Sequence, residues 1–190
     1  PNLLMFEPTY ADELEVILRY TFSYIQDPEG SSVYIRLSTR NIPQIKREIN
    51  KTLEEEILSG GYWFEKSKNK SNITIVFSGV MAPEVLEAIE ILKEDKLEVS
   101  VLSITSADRL YKNWKEAQKE RSMGNKILSR IEKLFLDTNK ESVIVSLIDA
   151  HSSSLTWIGG AVGKKTISLG VDEFGQSGNL KDLYSHYSID

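Results

Sequence analysis

The chain has 190 residues, of which 41% are hydrophobic and 27% are charged, and its formal net charge at pH 7 is -5. This length suits one domain with a flanking piece, and the acidic balance argues against a surface built to bind nucleic acid. The absence of cysteine excludes disulfides, thiolate metal sites and cysteine nucleophiles, and no apolar run approaches the ~18 residues that span a bilayer. We therefore predict a cytoplasmic protein without a membrane or nucleic-acid partner.

The N-terminal part of the chain predicts a helix followed by a strand. Apolar residues recur with a period near 3.6 from about Thr9 to Gln26, which favours an amphipathic helix. The turn-forming residues Asp27 to Gly30 end this helix. β-Branched, aromatic and apolar residues follow from Val33 to Ser38, which is typical of a strand.

The next stretch, 42–71, predicts a linker that becomes a helix and then a short strand. Pro43 and a high density of charged residues favour an irregular beginning, and a thin apolar stripe indicates a helix that Gly60 ends. Tyr62 to Phe64 suggest a short strand flanking the main domain. A domain boundary is therefore expected in this stretch.

From residue 72 to residue 190, predicted strands and helices alternate. The strands are Ile73–Val80, Leu97–Ile104, Val143–Ile148 and Ile167–Val171. Five helices are predicted between and after these strands. The first begins at Pro83, the second spans Ala107–Lys119, and the third carries Ile127, Ile131, Leu134 and Phe135 on its apolar face. The fourth spans Leu155–Val162, and the fifth follows Asn179, its N-cap. Such alternation means βαβ crossovers, so we predict a three-layer αβα fold with a mostly parallel, mixed sheet, preceded by a helix-strand remnant.

A glycine-containing loop follows the last predicted strand. It contains Phe174, Gly175, Gln176, Ser177 and Gly178. A strand, a glycine loop and a helix form the unit that places ligands at the carboxyl edge of an open α/β sheet, so these residues are a candidate ligand-edge loop. The alternative is that the glycines only turn the chain, which is the more frequent use of glycine.

His151 is a candidate catalytic residue, because it follows the third predicted strand and precedes Ser152 at the start of a helix. This position suits an anion or a proton-transfer step, and Asp149 is the nearby carboxylate that could orient the imidazole. A serine hydrolase is disfavoured because the chain has no G-x-S-x-G motif, and a flavodoxin-like nucleotide binder because it has neither G-x-G-x-x-G nor a P-loop. No metal site is predicted, since Glu54 to Glu56 fan out around a helix.

Arg36 and Arg40 lie in R-L-S-T-R at the end of the first predicted strand. Guanidinium groups bind carboxylate or phosphate with two parallel hydrogen bonds, so Arg40 is a candidate substrate-binding residue. Gln44 follows closely and could supply a further hydrogen bond.

Six segments of the chain, in order, resemble the C-terminal region of the transketolase family, most closely its branch of homodimeric pyruvate dehydrogenases. They are F-E-P-T-Y-A-D-E-L, V-Y-I-R-L-S-T-R, I-V-F-S-G-V, S-V-L-S-I-T-S-A-D-R-L, D-A-H-S-S-S-L-T-W-I-G and L-G-V-D-E-F-G-Q-S-G. The resemblance divides the chain into 1–41, the end of the pyrimidine-binding domain, 42–71, the linker, and 72–190, the transketolase-like C-terminal domain. In transketolases the corresponding strand end carries Ser-Arg, and that arginine holds the substrate phosphate. Arg40 lies one position out of register with it.

The resemblance implies a part of a thiamine-diphosphate-dependent enzyme. In such enzymes the cofactor, held with magnesium, attacks the ketone of a 2-oxo acid, carbon dioxide leaves, and the acyl fragment passes to a lipoyl-bearing acyltransferase or another acceptor. The chain has no G-D-G motif for magnesium and diphosphate, and the pyrimidine-activating glutamate would lie upstream of Pro1.

These implications combine into one expectation about the function. We expect the C-terminal fragment of a 2-oxo acid dehydrogenase component, with pyruvate as the substrate, that supports packing against its own upstream domains and assembly of a homodimer. By itself the fragment is expected to be inactive and to bind no cofactor. The alternatives are a transketolase proper and a non-catalytic dimerisation or docking module.

Overall fold

The computed structural model describes residues 3–68 and 71–187. In chain order the elements are β1 (Leu4–Phe6), α1 (Ala11–Tyr24), β2 (Val33–Ile35), α2 (Lys51–Leu58), β3 (Gly61–Glu65), β4 (Ile73–Ser78), α3 (Ala82–Glu94), β5 (Val99–Ile104), α4 (Ala107–Ser122), α5 (Arg130–Phe135), β6 (Val143–Leu147), α6 (Ser153–Val162), β7 (Thr166–Leu169) and α7 (Leu180–Tyr187). A 3₁₀ turn at Gly79–Met81 joins β4 to α3.

Five of the strands form one mixed sheet, in the order β3-β5-β4-β6-β7. The four strands from β4 onward are parallel to one another, and Val76 at the centre is paired with Leu102 on one side and Ser146 on the other. The predicted α/β fold with a mostly parallel, mixed sheet is therefore confirmed. The strand predicted at 62–64 is β3, and it enters this sheet as an antiparallel edge strand beside β5.

Helices cover both faces of this sheet. Alternate residues of a strand point to opposite faces, so Val76 packs with α4, α5 and α6, whereas Ile75 and Phe77 pack with α3. Each of these side chains is almost completely buried, and such burial contributes about 1.5–3 kcal/mol per large apolar side chain. The three layers follow from this two-sided apolar pattern.

The N-terminal elements form a small βαβ unit. β1 and β2 are parallel partners, and α1 connects them, which confirms the predicted helix and strand. β1 was not predicted, because three residues are too few to show a strand period. The core of this unit contains Phe6 and Ile17, together with Ile57 of α2 and Tyr62 of β3, so it is continuous with the edge of the main sheet.

The helix predicted around Ile127 begins later than expected. Ser129 is its N-cap and accepts a hydrogen bond from Glu132 N, while Glu132 accepts one from Ser129 N at 2.7 Å. This capping box starts α5 at Arg130 and leaves Ile127 outside the helix and exposed. The apolar spacing alone did not locate the cap.

A buried carboxylate joins the N-terminal βαβ unit to the edge of the main sheet. Glu13 of α1 has no exposed surface, and its Oε2 accepts hydrogen bonds from the backbone N of Thr9 at 2.7 Å and of Tyr10 at 3.3 Å. Its Oε1 accepts from Tyr62 Oη at 2.5 Å and from Arg47 Nη2 at 3.0 Å. We call these five residues the Glu13 cluster.

Arg47, which lies in the irregular segment before α2, supplies the positive charge of the Glu13 cluster. It also binds both carboxylate oxygens of Asp12, at 2.7 and 3.0 Å, and its guanidinium lies 5.2 and 5.1 Å from the ring centres of Tyr10 and Tyr62. Burial lowers the pKa of Arg47, but the hydrogen bonds that Arg47 donates to Asp12 and Tyr62 raise it by more, so the net shift is upward and the charge is retained. Burial and the nearby Glu13 charge raise the pKa of Tyr10 to about 12 and also raise that of Tyr62.

Removal of the Arg47 charge should destabilise the fold strongly. We expect Arg47→Met to lower the free energy of unfolding by about 3 kcal/mol, because it leaves the buried Glu13 carboxylate without its cation. Urea denaturation followed by circular dichroism measures this loss. Arg19→Met is the matched control, since Arg19 forms an exposed pair with Glu15 at 3.8 Å and its loss should cost less than about 0.5 kcal/mol. Equal losses in the two variants would contradict the role assigned to the Glu13 cluster.

Candidate functional site

A cleft lies at the carboxyl edge of the sheet. β5, β4 and β6 end side by side there, and β1 and β2 of the N-terminal unit face this edge. The cleft has a volume of about 750 Å³, and its lining includes Glu7, Arg36, Ser78, Tyr111, Asp149 and Trp157. It is the type of location at which open α/β sheets bind ligands.

Arg36 bridges the two sides of this cleft. Its Nη1 donates to Glu7 Oε1 at 2.8 Å and its Nη2 donates to Asp149 Oδ2 at 2.9 Å. Glu7 is 6% exposed, and burial raises the pKa of its carboxyl although the Arg36 charge and hydrogen bond act to lower it. The bridge therefore ties the N-terminal unit to the end of β6.

A glycine permits the close approach of Glu7. Gly79 has a φ of +57°, in the left-handed region, and a Cβ built on it would lie 2.5 Å from Glu7 Oε1. Thr9 donates its hydroxyl proton to the carbonyl of the same glycine at 3.0 Å. The turn after β4 thus has the shape required to seat the buried carboxylate.

His151 lies beside this cleft, at the start of α6. Its imidazole is exposed, Nδ1 lies 2.8 Å from Ser153 Oγ, and the nearest carboxylate is that of Asp172 at 3.6 Å. The prediction that Asp149 orients His151 is wrong, because the Asp149 carboxylate instead binds Arg36. The catalytic role of His151 itself stays a prediction.

Asp172 connects the loop after β7 to the beginning of α6. Its carboxylate accepts hydrogen bonds from Ser152 N at 2.8 Å and Ser152 Oγ at 2.9 Å, and these bonds lower the pKa of Asp172. The sequence did not identify this pair, because the two residues belong to different strand ends and meet only when β6 and β7 are neighbours.

The candidate ligand-edge loop, Phe174 to Gly178, is open to solvent. Phe174 is 94% exposed, and a Cβ built on Gly175 would meet nothing within 4 Å. The glycine under steric constraint is Gly170, where a Cβ would lie 2.5 Å from the carbonyl oxygen of Ala150 and 2.7 Å from Ser152 N. The glycine that the fold requires is therefore Gly170, which precedes the loop selected from the sequence.

The two substrate-binding candidates lie apart from the cleft lining. Arg40 forms an ion pair with Glu84 of α3, and its guanidinium lies 6.0 Å from the ring centre of Tyr184. Gln44 accepts a hydrogen bond from Ala11 N at 2.8 Å, which satisfies a free N–H at the first turn of α1. Their substrate-binding roles remain predictions, and the contacts that the structure gives them are with the protein itself.

The residues present do not fit a magnesium-diphosphate site. Within residues 3–68 and 71–187, no three His, Cys, Asp or Glu side chains are grouped so that they could hold a metal ion. The sequence also has no G-D-G motif.

Within the described residues, no helix has both the length and the apolar composition needed to cross a membrane.

Comparison with known proteins shows a family match. The family model described as the transketolase-like TK C-terminal domain matches residues 60–190. The pyruvate dehydrogenase E1 component of Buchnera aphidicola (subsp. Baizongia pistaciae) is 25% identical over an alignment that covers the whole chain, which spans 22% of that relative. The putative transketolase C-terminal section of Methanocaldococcus jannaschii is also 25% identical over the whole chain, which spans 52% of it.

A solved structure has the same fold. The transketolase from Leishmania mexicana matches 100% of this chain with a TM-score of 0.66 and 17% sequence identity, and the chain covers 23% of it. The fold of this chain is therefore that of a transketolase C-terminal region, and the chain is shorter than each of these proteins.

Replacement of Arg36 should raise the pKa of Glu7 further. In the folded protein the pKa of Glu7 lies above its ordinary value of 4.5, so protonated Glu7 favours the folded state. This contribution to the free energy of unfolding is complete below pH 4.5 and is lost as the pH rises through the folded pKa. Arg36→Met removes the lowering charge and moves this loss to higher pH; carboxyl ¹³C NMR titration measures the pKa. Arg40→Met, whose guanidinium pairs with Glu84, is the control and should leave the Glu7 pKa unchanged. A Glu7 pKa that stays constant or falls in Arg36→Met would refute the bridge.

A methyl group at Gly170 should destabilise the fold. We expect Gly170→Ala to cost about 1–3 kcal/mol, because the new Cβ would overlap backbone atoms of Ala150 and Ser152. Gly175→Ala should change the free energy of unfolding by less than about 0.5 kcal/mol, since nothing lies near that site. Thermal unfolding of both variants checks this, and a larger loss at Gly175 than at Gly170 would reverse our assignment.

Proposed function

The chain belongs to the family of transketolase-like C-terminal domains, and from this premise we propose that it is the C-terminal region of a thiamine-diphosphate-dependent 2-oxo acid dehydrogenase component of the pyruvate dehydrogenase type. The observation that carries the proposal is the similarity to the Buchnera pyruvate dehydrogenase E1 component. That similarity covers the whole chain, including the residues before 60 that the family model leaves unmatched. The chain spans 22% of that relative, so the substrate and the activity of the whole protein are parts of the proposal.

The proposed role of this region is to pack against its own upstream domains and to support a homodimer. The Glu13 cluster and the Arg36 bridge join the N-terminal unit to the main sheet. The same unit exposes large apolar side chains, namely Phe22, Ile25, Tyr34 and Leu37. Other large apolar side chains are exposed outside this unit, among them Ile167, Leu169 and Phe174. In the proposal, other domains or a second subunit cover part of this apolar surface.

In this proposal the cofactor is bound by other domains. Thiamine diphosphate, held there with magnesium, would supply the chemistry that decarboxylates a 2-oxo acid, and a lipoyl-bearing acyltransferase would accept the remaining acyl fragment. The division of the chain at 41 and 71 and its cytoplasmic location stay predictions.

The alternative of a transketolase proper has less support from the contacts of Arg40. An arginine that holds a substrate phosphate needs a guanidinium that is available to that phosphate, whereas Arg40 pairs with Glu84. The ion pair and the hydrogen bond to Glu84 also raise the pKa of Arg40, with the hydrogen bond as the largest cause. The contacts of Arg40, together with the similarity to the pyruvate dehydrogenase E1 component, therefore support the first proposal.

The test compares this chain with a longer protein that contains it. We expect isothermal titration calorimetry to detect no thiamine diphosphate binding by the 190-residue chain. The longer protein, supplied with thiamine diphosphate and magnesium, should release carbon dioxide from pyruvate with ferricyanide as the electron acceptor, and should lose both activity and dimerisation when this region is deleted.

The contrary outcomes are distinct. Tight thiamine diphosphate binding by the chain alone would overturn the placement of the cofactor. Ketol transfer between sugar phosphates without pyruvate turnover would favour the transketolase alternative. A longer protein without a magnesium-diphosphate motif and without either activity would favour the non-catalytic module.

A further inference from the structure

A second cavity lies on another side of α4, and its lining is basic. It has a volume of about 500 Å³ and is bordered by β1, the end of α2, α4, the segment before α5 and α5 itself. The charged residues of its lining are Arg109, Lys112, Glu116, Arg130 and Lys133. Four positive side chains against one carboxylate are unexpected on a chain whose net charge is -5.

Arg109 contributes a buried donor that has no partner. Its guanidinium lies 5.5 Å from the ring centre of Phe6 and 5.2 Å from that of Tyr20, so the two aromatic rings fix its position. Its Nη1 is buried without a hydrogen bond, and no carboxylate in the described part of the chain pairs with Arg109. The positive charge is therefore held in place but not neutralised.

Arg130 contributes a second such donor. Its Nη2 binds Glu56 Oε1 at 2.8 Å, but its Nε is buried and has no hydrogen-bond partner among the described residues. Lys133, one turn further along α5, forms no ion pair within the described residues. Lys112 is engaged elsewhere, since its Nζ donates to Leu3 O at 2.9 Å and pairs with Asp108 at 3.2 Å.

Two unpartnered guanidinium donors at one cavity indicate a missing acceptor. Buried donors without a partner are costly, and native structures almost always satisfy them with protein, water or a ligand. An anion with several oxygen atoms in the cavity would accept from the guanidinium groups of Arg109 and Arg130, whose side chains line it. Guanidinium groups held by aromatic stacking suit this task, since their donors are already oriented.

We propose that this basic cavity binds a phosphate group of a small molecule. A phosphate group offers three terminal oxygen atoms as acceptors, whereas a carboxylate offers two, so a phosphate suits a cavity lined by two arginines and two lysines more closely. The Glu116 carboxylate in the same lining offsets part of their positive charge. The proposal does not depend on the proposed function, because it rests only on the charges and unpartnered donors of this cavity.

The experiment measures binding of inorganic phosphate to the chain by isothermal titration calorimetry at pH 7.5, against chloride at the same ionic strength. We expect saturable binding of phosphate, weakened at least tenfold in Arg109→Met, which keeps an apolar side chain on the two rings. Lys133→Met provides a second variant at an exposed position, for which we expect a three- to tenfold loss without a change in folding. Lys119→Met, on α4 but outside the cavity lining, is the matched control and should bind phosphate as the unaltered chain does.

Three results would overturn the proposal. The first is the absence of saturable phosphate binding, and the second is equal weakening by Lys119→Met and Lys133→Met. The third is unchanged affinity in Lys133→Met together with unchanged affinity in a folded Arg109→Met.

Discussion

The buried carboxylate of Glu13 is the constraint on which the rest of the molecule depends. An ionised group without exposed surface is tolerated only when donors and a countercharge surround it, and here they come from the start of α1, from Arg47 and from Tyr62 of β3. Because these donors belong to three separate segments, satisfying one carboxylate fixes α1, the irregular segment and the edge of the sheet relative to one another. β1 and β2 are thereby held opposite the carboxyl edge of the sheet, and the cleft exists because of that placement.

Three arginines illustrate how the surroundings of one residue type separate structural from binding roles. Arg47 pairs with Asp12 and Glu13, and Arg36 pairs with Glu7 and Asp149, so carboxylates of the protein neutralise both guanidinium charges. Arg109 is equally well positioned, by aromatic rings in place of carboxylates, and it retains its charge and a free donor. A neutralised arginine joins elements of the protein, whereas a positioned but uncompensated arginine is available to a ligand.

The sequence predicted the strands and the layers well but the site poorly, and the reason is physical. The apolar periods of β4 to β7 and of their helices are local, so the chain order of these elements was correct. Asp149 was chosen as the partner of His151 because it is close in sequence, but the carboxylate beside His151 comes from Asp172 after the next strand. The sequence did not identify Glu7 as a cleft residue, because its partners Arg36 and Gly79 lie 29 and 72 residues away along the chain. Side chains that meet across strand ends leave no periodic pattern.

By itself, the sequence determined the alternation of strands and helices, the mostly parallel sheet, the helix-strand unit at the N-terminus and the likeness to transketolase C-terminal regions. All of these depend on local residue type and spacing, which the chain carries whatever its path. Only the tertiary structure decided that β3 pairs antiparallel at the edge, that Arg40 meets Glu84, and that Arg109 and Arg130 border one cavity. These outcomes depend on which distant elements pack together, because charges and hydrogen bonds act over a few ångströms of space and not along the chain.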